Sequence, residues 1–499
     1  MIEITEKKAR GRPKKVIEVK PKSNPYSKRW FNAASFGSNE VINQSVSINA
    51  DIQGGLATIR NRVRALVTNS GYAQGIISTL KNNVIGERGI QINVQGKDSN
   101  GSLDTTANSF IEDLFGEWGE YGNCTVEGNM DFVKLQELIL STVAVDGECL
   151  VFIRRGSNFG DFNFQLEVLP TDNLDENYYS TLTNGNIIFQ GVELNPYFKP
   201  VAYHLWQYSL NDPAQRLIGQ NKRLRISAED IIHIYDIKSP KQVRGFSWLV
   251  TAILPLHHLQ KLNEYELQMA RVAILNQVYF KMQKGENWEL GEDEIEAAGM
   301  INRDLYPAGV EVLPPGVDVQ SVDWDSPNNN LNDFKKNILR DISSGIGVSY
   351  NTIASDLESV NYSSARFGFL NDKINYSSKQ RWFINIFFKR VYQEWLKMQL
   401  LTGKVPYGIA KFDKFKKAKY SGRNWQSIDP IKDANASKIQ LALGLTTYSE
   451  QLNSQGLDFE EVLSEQIREA IAIKNAYQKA GLIPPTPIFY DNKVDNGKQ

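Results

Sequence analysis

Cysteine and histidine are scarce in this 499-residue chain, with only Cys124 and Cys149 for the first and His204, His233, His257 and His258 for the second. No CxxC pair occurs and the histidines follow no ligand spacing, so neither a disulfide framework nor a metal centre or bound cofactor is expected. Such cysteine usage fits a reducing, cytosolic compartment. No apolar run reaches the roughly 18 residues that cross a bilayer, and the basic start lacks the apolar stretch of a secretory signal. The expectation is a soluble chain with no membrane partner, not exported by that route. Nucleotide chemistry is missing as well: no GxxxxGK[ST] is present, and the Gly-x-Gly of SGIGVSY follows a helical pattern instead of a strand. Without a nucleophile motif beside His204 or His233, those histidines read as buried, hydrogen-bonded core residues. No enzyme is expected.

Charge is balanced in total and uneven in place. The chain has 56 Lys and Arg, 57 Asp and Glu and a formal net charge of -1. Residues 1–30 alone hold ten Lys or Arg against three Glu, a formal +7, which leaves -8 for the remainder. A body so weakly acidic would not grip nucleic acid tightly, because affinity for the duplex grows with the number of phosphates neutralised. Within the basic start, Arg10, Gly11, Arg12, Pro13, Lys14 and Lys15 form an extended Arg-Gly-Arg-Pro core that resembles an AT-hook, with both guanidinium groups suited to a narrow minor groove. A solubilising or assembly-stage tail and nonspecific phosphate contact are the other readings of the same residues.

Length predicts roughly three domain-sized units. After a tail without apolar periodicity, two amphipathic helices are expected between Ile48 and Gly86, a third over Ser109–Gly119 and a fourth over Asp131–Val145. The runs CLVFIRR, FNFQLEVLP, NIIFQGVEL and PVAYHLW then read as a largely antiparallel sheet, which makes the region α+β. Ser247–Phe280 and Leu331–Gly347 have helical spacing and flank an excursion with turn signals at Pro314–Gly316. Apolar residues on more than one side of the first of these require several packing neighbours. Tyr362–Leu401 reads as one long helix, and the chain returns through KVPYG and FDKFKKAKYSGRNW. Three helices end the pattern: Pro430–Leu443 stopped by Gly444, one capped by Thr447-x-x-Glu450, and Asp458–Lys479.

Between the helical stretches lies SGIGVSYNTIASDLESVNYSSAR, polar and glycine-punctuated, from Ser344 to Arg366. This segment resembles the channel loop of the lambda-type bacteriophage portal family. Other blocks similar to that family follow in the same order, among them IRNRVRALVTNSGYAQGIISTLKNNVIG, DFVKLQELILSTVAVDGECLVF, GVELNPYFKPVAYHLW, VRGFSWLVTAILPL and WQSIDPIKDANASKIQLALGLTT. The resemblance implies an α+β portal fold with wing, stem, clip and helical crown, assembled as a closed ring. On that pattern residues 1–40 are a basic tail, 41–246 the wing, 247–280 and 328–347 the stem helices around a clip at 281–327, and 348–362 the tunnel loop. A long wing helix at 363–401, a wing return at 402–428, a crown at 429–482 and a tail at 483–499 complete it.

The same resemblance implies a dodecameric homo-oligomer at one capsid vertex of the virion, assembled in the host cytoplasm, with double-stranded DNA passing through. Its implied partners are the terminase large subunit, the major capsid and scaffolding proteins, and a head-completion or tail adaptor protein. Tyr350, Asn351, Asn361 and Tyr362 are the expected DNA-channel residues. Lys336 and Arg340, one turn apart on a polar helix face, either meet phosphates or serve as a solvated face or intersubunit salt bridges. Two rivals remain at this level: a DNA-binding adaptor acting through the AT-hook-like tail, and a nuclease holding Mg²⁺ at Asp356 and Glu358 or at Asp146 and Glu148. Solvated or ion-paired carboxylates are the simpler account of both acidic pairs.

Overall fold

The computed structural model describes residues 47–209, 221–274, 278–282, 317–321, 331–356, 362–425, 430–454 and 459–479, and the fold below is that of the unit beginning at Ile48. Helices α1 (Ile48–Asn69) and α2 (Gly71–Val84) open it, followed by strand β1 (Gln91–Val94), then α3 (Thr105–Trp118) and α4 (Phe132–Asp146). Three of these helices begin at side-chain caps. Ser70, Asp104 and Asp131 accept from the N–H groups of Ala73, Ala107 and Lys134, satisfying amides that a first turn leaves unpaired. The Asp104 cap is why α3 starts four residues before the expected Ser109. At the far end of α4, Gly147 adopts φ 92°, a left-handed conformation that turns the chain straight into the next strand.

Strands β2 (Glu148–Arg155), β3 (Phe164–Leu169), β4 (Ser180–Thr181), β5 (Ile187–Phe189), β6 (Val192–Leu194), β7 (Pro200–Trp206), β8 (Arg223–Ser227) and β9 (Ile231–Tyr235) follow. They form two antiparallel sheets instead of one. One has order β3-β2-β9 and the other β4-β5-β6-β7-β8. The NIIFQGVEL run is two strands, because Gln190 and Gly191 take φ 49° and 79° and reverse the chain in a two-residue hairpin. The smaller sheet faces two cores: Cys149, Val151, Ile232 and Ile234 of β2 and β9 join the main core under α1–α4, whereas Leu150 and Ile231 pack with Leu174, Val192, Leu194, Tyr203 and Leu205 of the larger sheet's side.

A 3₁₀ turn at Val250–Ala252 leads into α5 (Ile253–Ile274), shorter than the Ser247–Phe280 expectation. Pro255 lies in its first turn, where a missing N–H is harmless. The chain next forms β10 (Val278–Met282), paired antiparallel with β11 (Val317–Ser321), and returns through α6 (Leu331–Ile346). The turn expected at Pro314–Gly316 lies outside the described residues. Helices α5 and α6 run side by side. The start of α5 and the end of α6 are sunk in the main core at Leu256, Leu259, Leu339, Ile342 and Ile346. Leu254 is exposed beside that buried end, and farther along Tyr265, Leu267, Met269 and Phe334 are exposed.

After a short helix α7 (Tyr350–Ala354), the expected single long helix is α8 (Tyr362–Phe383), a π-helical turn at Ile384–Phe388 and α9 (Lys389–Thr402). The extra residue per turn re-registers the buried face: Tyr376, Gln380 and Phe383 point inward before it, and Phe388, Val391, Tyr392 and Trp395 after it. These rings meet those of α3 and α4, as in the edge-on Phe115–Trp395 pair at 5.0 Å between centroids. A one-turn helix α10 (Phe412–Phe415) and β12 (Ala418–Ser421) bring the chain back, β12 pairing antiparallel with β1. Helices α11 (Pro430–Ala442), α12 (Tyr448–Ser454) and α13 (Phe459–Lys479) come last. Thr447 caps α12 by accepting from the Glu450 N–H, while the Glu450 carboxylate accepts from Thr446 Oγ1 instead of closing a reciprocal box. Among the described residues no helix is long and apolar enough to cross a membrane.

Candidate nucleic-acid interface

After α6, residues 347–356 of the polar segment are tied to α8 by side-chain hydrogen bonds. Gly347 takes φ 76° and ends α6, and its carbonyl accepts from Asn375 Nδ2 at 2.9 Å. Ser349 then opens α7, where a polar loop was expected. The buried carboxylate of Asp372, on α8, accepts from Ser349 N at 2.8 Å, Ser349 Oγ at 2.7 Å and Thr352 Oγ1 at 3.1 Å. That side chain therefore replaces the absent helix cap and ties α7 to the following helix. Ile353 fills the space beneath at 8% exposure.

Tyr350 and Asn351 lie on α7, and Tyr362 is the first residue of α8. Asn361 and Glu358 lie outside the described residues, as do Arg10, Gly11, Arg12, Pro13, Lys14 and Lys15. Lys336 and Arg340 stand one turn apart on α6, and the structure brings Tyr350 to them. The Arg340 guanidinium carbon is 5.6 Å from the Tyr350 ring centre, and Arg340 Nη1 also donates to Asn337 Oδ1 at 3.3 Å. Tyr350 Oη donates to Asp356 Oδ2 at 2.8 Å, and Lys336 Nζ lies 3.9 Å from the same oxygen. Burial first, and then the hydrogen bond to Asp356, push the Tyr350 hydroxyl up to about 12, so it remains a donor. The arrangement is a half-exposed patch of two cations, a phenol and one carboxylate.

Asp146 and Glu148, the other acidic pair, are engaged throughout by arginines. Arg64 grips Asp146 with two bonds of 2.8 and 2.7 Å and reaches Asp172 at 2.7 Å. Arg60 bridges Asp172 at 2.6 Å and Glu148 at 3.3 Å. Glu148 and Arg244 are both 0% exposed; Arg244 Nε donates to both Glu148 oxygens at 2.9 Å, its Nη2 contacts Oε1, and the Gly245 N–H adds a bond of 3.1 Å. His233 Nε2 lies 3.0 Å from Glu148 Oε2. Burial alone would raise the Glu148 carboxyl; the Arg244 charge and the bonds from His233 and Arg244 overcome it and hold the group well below the carboxylate range. Burial lowers His233 against the pull of Glu148. His204 pairs with Glu193 at 3.3 Å, and the Arg225 hydrogen bonds, opposed by burial, hold Glu193 down at about 2. Both oxygens of Asp146 and of Glu148 thus already accept from donors, and among the described residues no group of three metal-ligating side chains occurs.

The network also fixes where the paired helices leave the domain. Ser247 Oγ and Trp248 N both donate to the Ala144 carbonyl, and a Cβ on Gly147 would fall 2.2 Å from the Phe246 backbone. Sequence reasoning missed Asp372, Asn375 and Arg244. Asp372 has a faint signal in the Ser349-x-x-Thr352 spacing of a capping turn, but its partners are 23 and 20 residues away.

Comparison with known proteins bears on what such an arrangement serves. Residues 38–380 match the family described as phage portal protein, lambda family. A probable portal protein of Halomonas phage phiHAP-1 is 31% identical over 431 residues, spanning 85% of this chain and 83% of that one. The portal protein of Escherichia phage N15 is 21% identical over 475 residues, 85% of this chain and 86% of its own. Among solved structures, a chain from the neck of an empty GTA particle aligns with a TM-score of 0.47 at 13% identity, covering 81% of this chain and 94% of that one. On the extent of the family match and of the Halomonas phage relative, this chain belongs to the lambda family of phage portal proteins.

Proposed function

We propose that this portal protein forms a closed ring of identical copies, dodecameric as the family resemblance implies, at one vertex of the capsid, and that double-stranded DNA moves through its axis during packaging and ejection. The observation that carries this reading is apolar surface which one copy leaves bare. On the paired helices, Leu254, Tyr265 and Phe334 are 60, 58 and 56% exposed around a groove of about 590 Å³ also lined by Leu262 and Ile338. On the last three helices Ile431, Ile439, Ile467 and Ile471 are exposed, as are Leu443 and Leu445 in the turn after the first of them. Patches of this extent mark interaction surfaces, and a heterologous contact that closes on itself buries both sets at once.

In this reading α5 and α6 are the stem, the excursion between them is the clip that meets the terminase large subunit, and α11–α13 are the crown. The major capsid protein, scaffolding protein and head-completion or tail adaptor dock around the ring. The motor is a separate ATPase, and this chain supplies its platform without a catalytic step. The patch of Lys336, Arg340, Tyr350 and Asn351 faces the DNA, where contacts that are weak and interchangeable suit transport. Light scattering of the purified chain tests the assembly: a ring-sized particle is expected, and a monomer at micromolar concentration contradicts it.

A further inference from the structure

Asp356 sets a carboxylate among the cations of the patch. Its carboxylate lies 3.9 Å from Lys336 Nζ and accepts the Tyr350 hydroxyl at 2.8 Å, beside the Arg340 guanidinium that rests near the Tyr350 ring. The backbone is bent to put it there. Ser355 adopts φ 52° and ψ 31°, a left-handed conformation that costs a non-glycine residue roughly 1 kcal/mol and that turns the chain back toward α6. Asp372 fixes the start of the same short helix, so Tyr350 is presented to Asp356 from a held position. Lys336 and Asp356 remain 37 and 21% exposed, within reach of a ligand in solvent.

We propose that Asp356 is a built-in counter-charge that keeps this cationic patch from holding DNA. Resting on the channel reading above, the proposal assigns the residue a role beyond that reading. The carboxylate occupies Lys336 and Tyr350 in the absence of DNA, and a passing phosphate must displace it. An exposed ion pair is worth at most about 1 kcal/mol, so the exchange is easy in both directions. The duplex is therefore met by contacts that form and release, and the patch is cationic without being adhesive.

The test compares full-length wild-type protein, in its purified assembled form, with Asp356→Asn, Asp356→Glu and a remote charge control, Glu127→Gln, for binding of a short duplex across a salt series. The Asn variant should bind more tightly near 50 mM salt, by up to about fivefold for each copy that meets the duplex, and its log–log salt slope should steepen by about 0.9 for each phosphate newly engaged. Asp356→Glu and Glu127→Gln should match wild type, and adding Lys336→Ala to Asp356→Asn should remove the gain. If Asp356→Asn folds, binds duplex and shows the wild-type slope, the counter-charge is refuted while the channel reading stands. If neither assembly shows salt-dependent binding, the channel reading fails and the counter-charge falls with it.

Discussion

Glu148 and Asp356 are both carboxylates facing cations, and the chain treats them in opposite ways. Glu148 is wholly buried among Arg244, Arg60 and His233, with close, multiple bonds. Asp356 is partly exposed; it accepts from the Tyr350 hydroxyl and faces Lys336 at the longer distance of 3.9 Å. Charges taken out of water lose solvation worth several kcal/mol and persist only in a complete set of partners, which makes the Glu148 cluster a rigid joint between the sheets and the root of α5. Charges left near water lose little and bind little, which makes the Asp356 patch exchangeable. Residue type does not distinguish a fixed joint from a sliding contact; burial does.

Removing one member of the joint should have the largest effect. Glu148→Ala leaves Arg244 buried without its carboxylate and should destabilise the domain by about 3–5 kcal/mol, read as a fall in the denaturation midpoint or a loss of soluble protein. Gly147→Ala attacks the same joint through the backbone: φ 92° is strained for alanine, and the new Cβ meets Phe246. A loss of about 3 kcal/mol is expected in the same assay.

Acid should weaken the joint. His233 binds its proton less readily when folded than its ordinary value of 6.5, and Glu148 less readily than 4.5, so in both cases the unfolded chain takes up more protons as pH falls. Stability is therefore full above about 6.5, declines below it through His233, and declines more steeply below 4.5, by up to roughly 1.4 kcal/mol per pH unit for each proton. His233→Gln should flatten the first part of that decline in denaturation curves taken across pH.

Asp372→Ala should act locally. Losing three bonds to Ser349 and Thr352 should speed amide exchange in Tyr350–Ala354 by about tenfold or more, at a cost of about 1–3 kcal/mol, with exchange in α3 and α4 unchanged. The smallest stability change belongs to Tyr350→Phe, within about 1 kcal/mol by thermal melting, because a half-exposed hydroxyl loses one bond to Asp356. A large loss there would erase the distinction between joint and patch.

How far the sequence exposed these two sites follows from the reach of their contacts. Helix periodicity located α4, α6 and α8, and a cap residue marked α12, since those signals lie within a few residues. Lys336 and Arg340 were visible together because they sit one turn apart. α7 was not, because five residues carry no period and its anchor is Asp372, on the next helix. The π-helical turn at Ile384–Phe388 was hidden for a related reason: an uninterrupted apolar pattern does not show where one extra residue enters a turn. The Asp-Gly-Glu of residues 146–148 drew notice as acidic, yet the partners that decide its role, Arg60, His233 and Arg244, lie 88, 85 and 96 residues from Glu148.

The central claim is a ring with an open axis whose inner face includes Lys336, Tyr350 and Asp356. Electron microscopy of the purified full-length protein tests it most directly: end-on views should show a closed ring with a hole wide enough for duplex DNA, lined by the ends of α6 and α7. Monomers, open filaments, or a ring that carries α7 on its outer surface would contradict it.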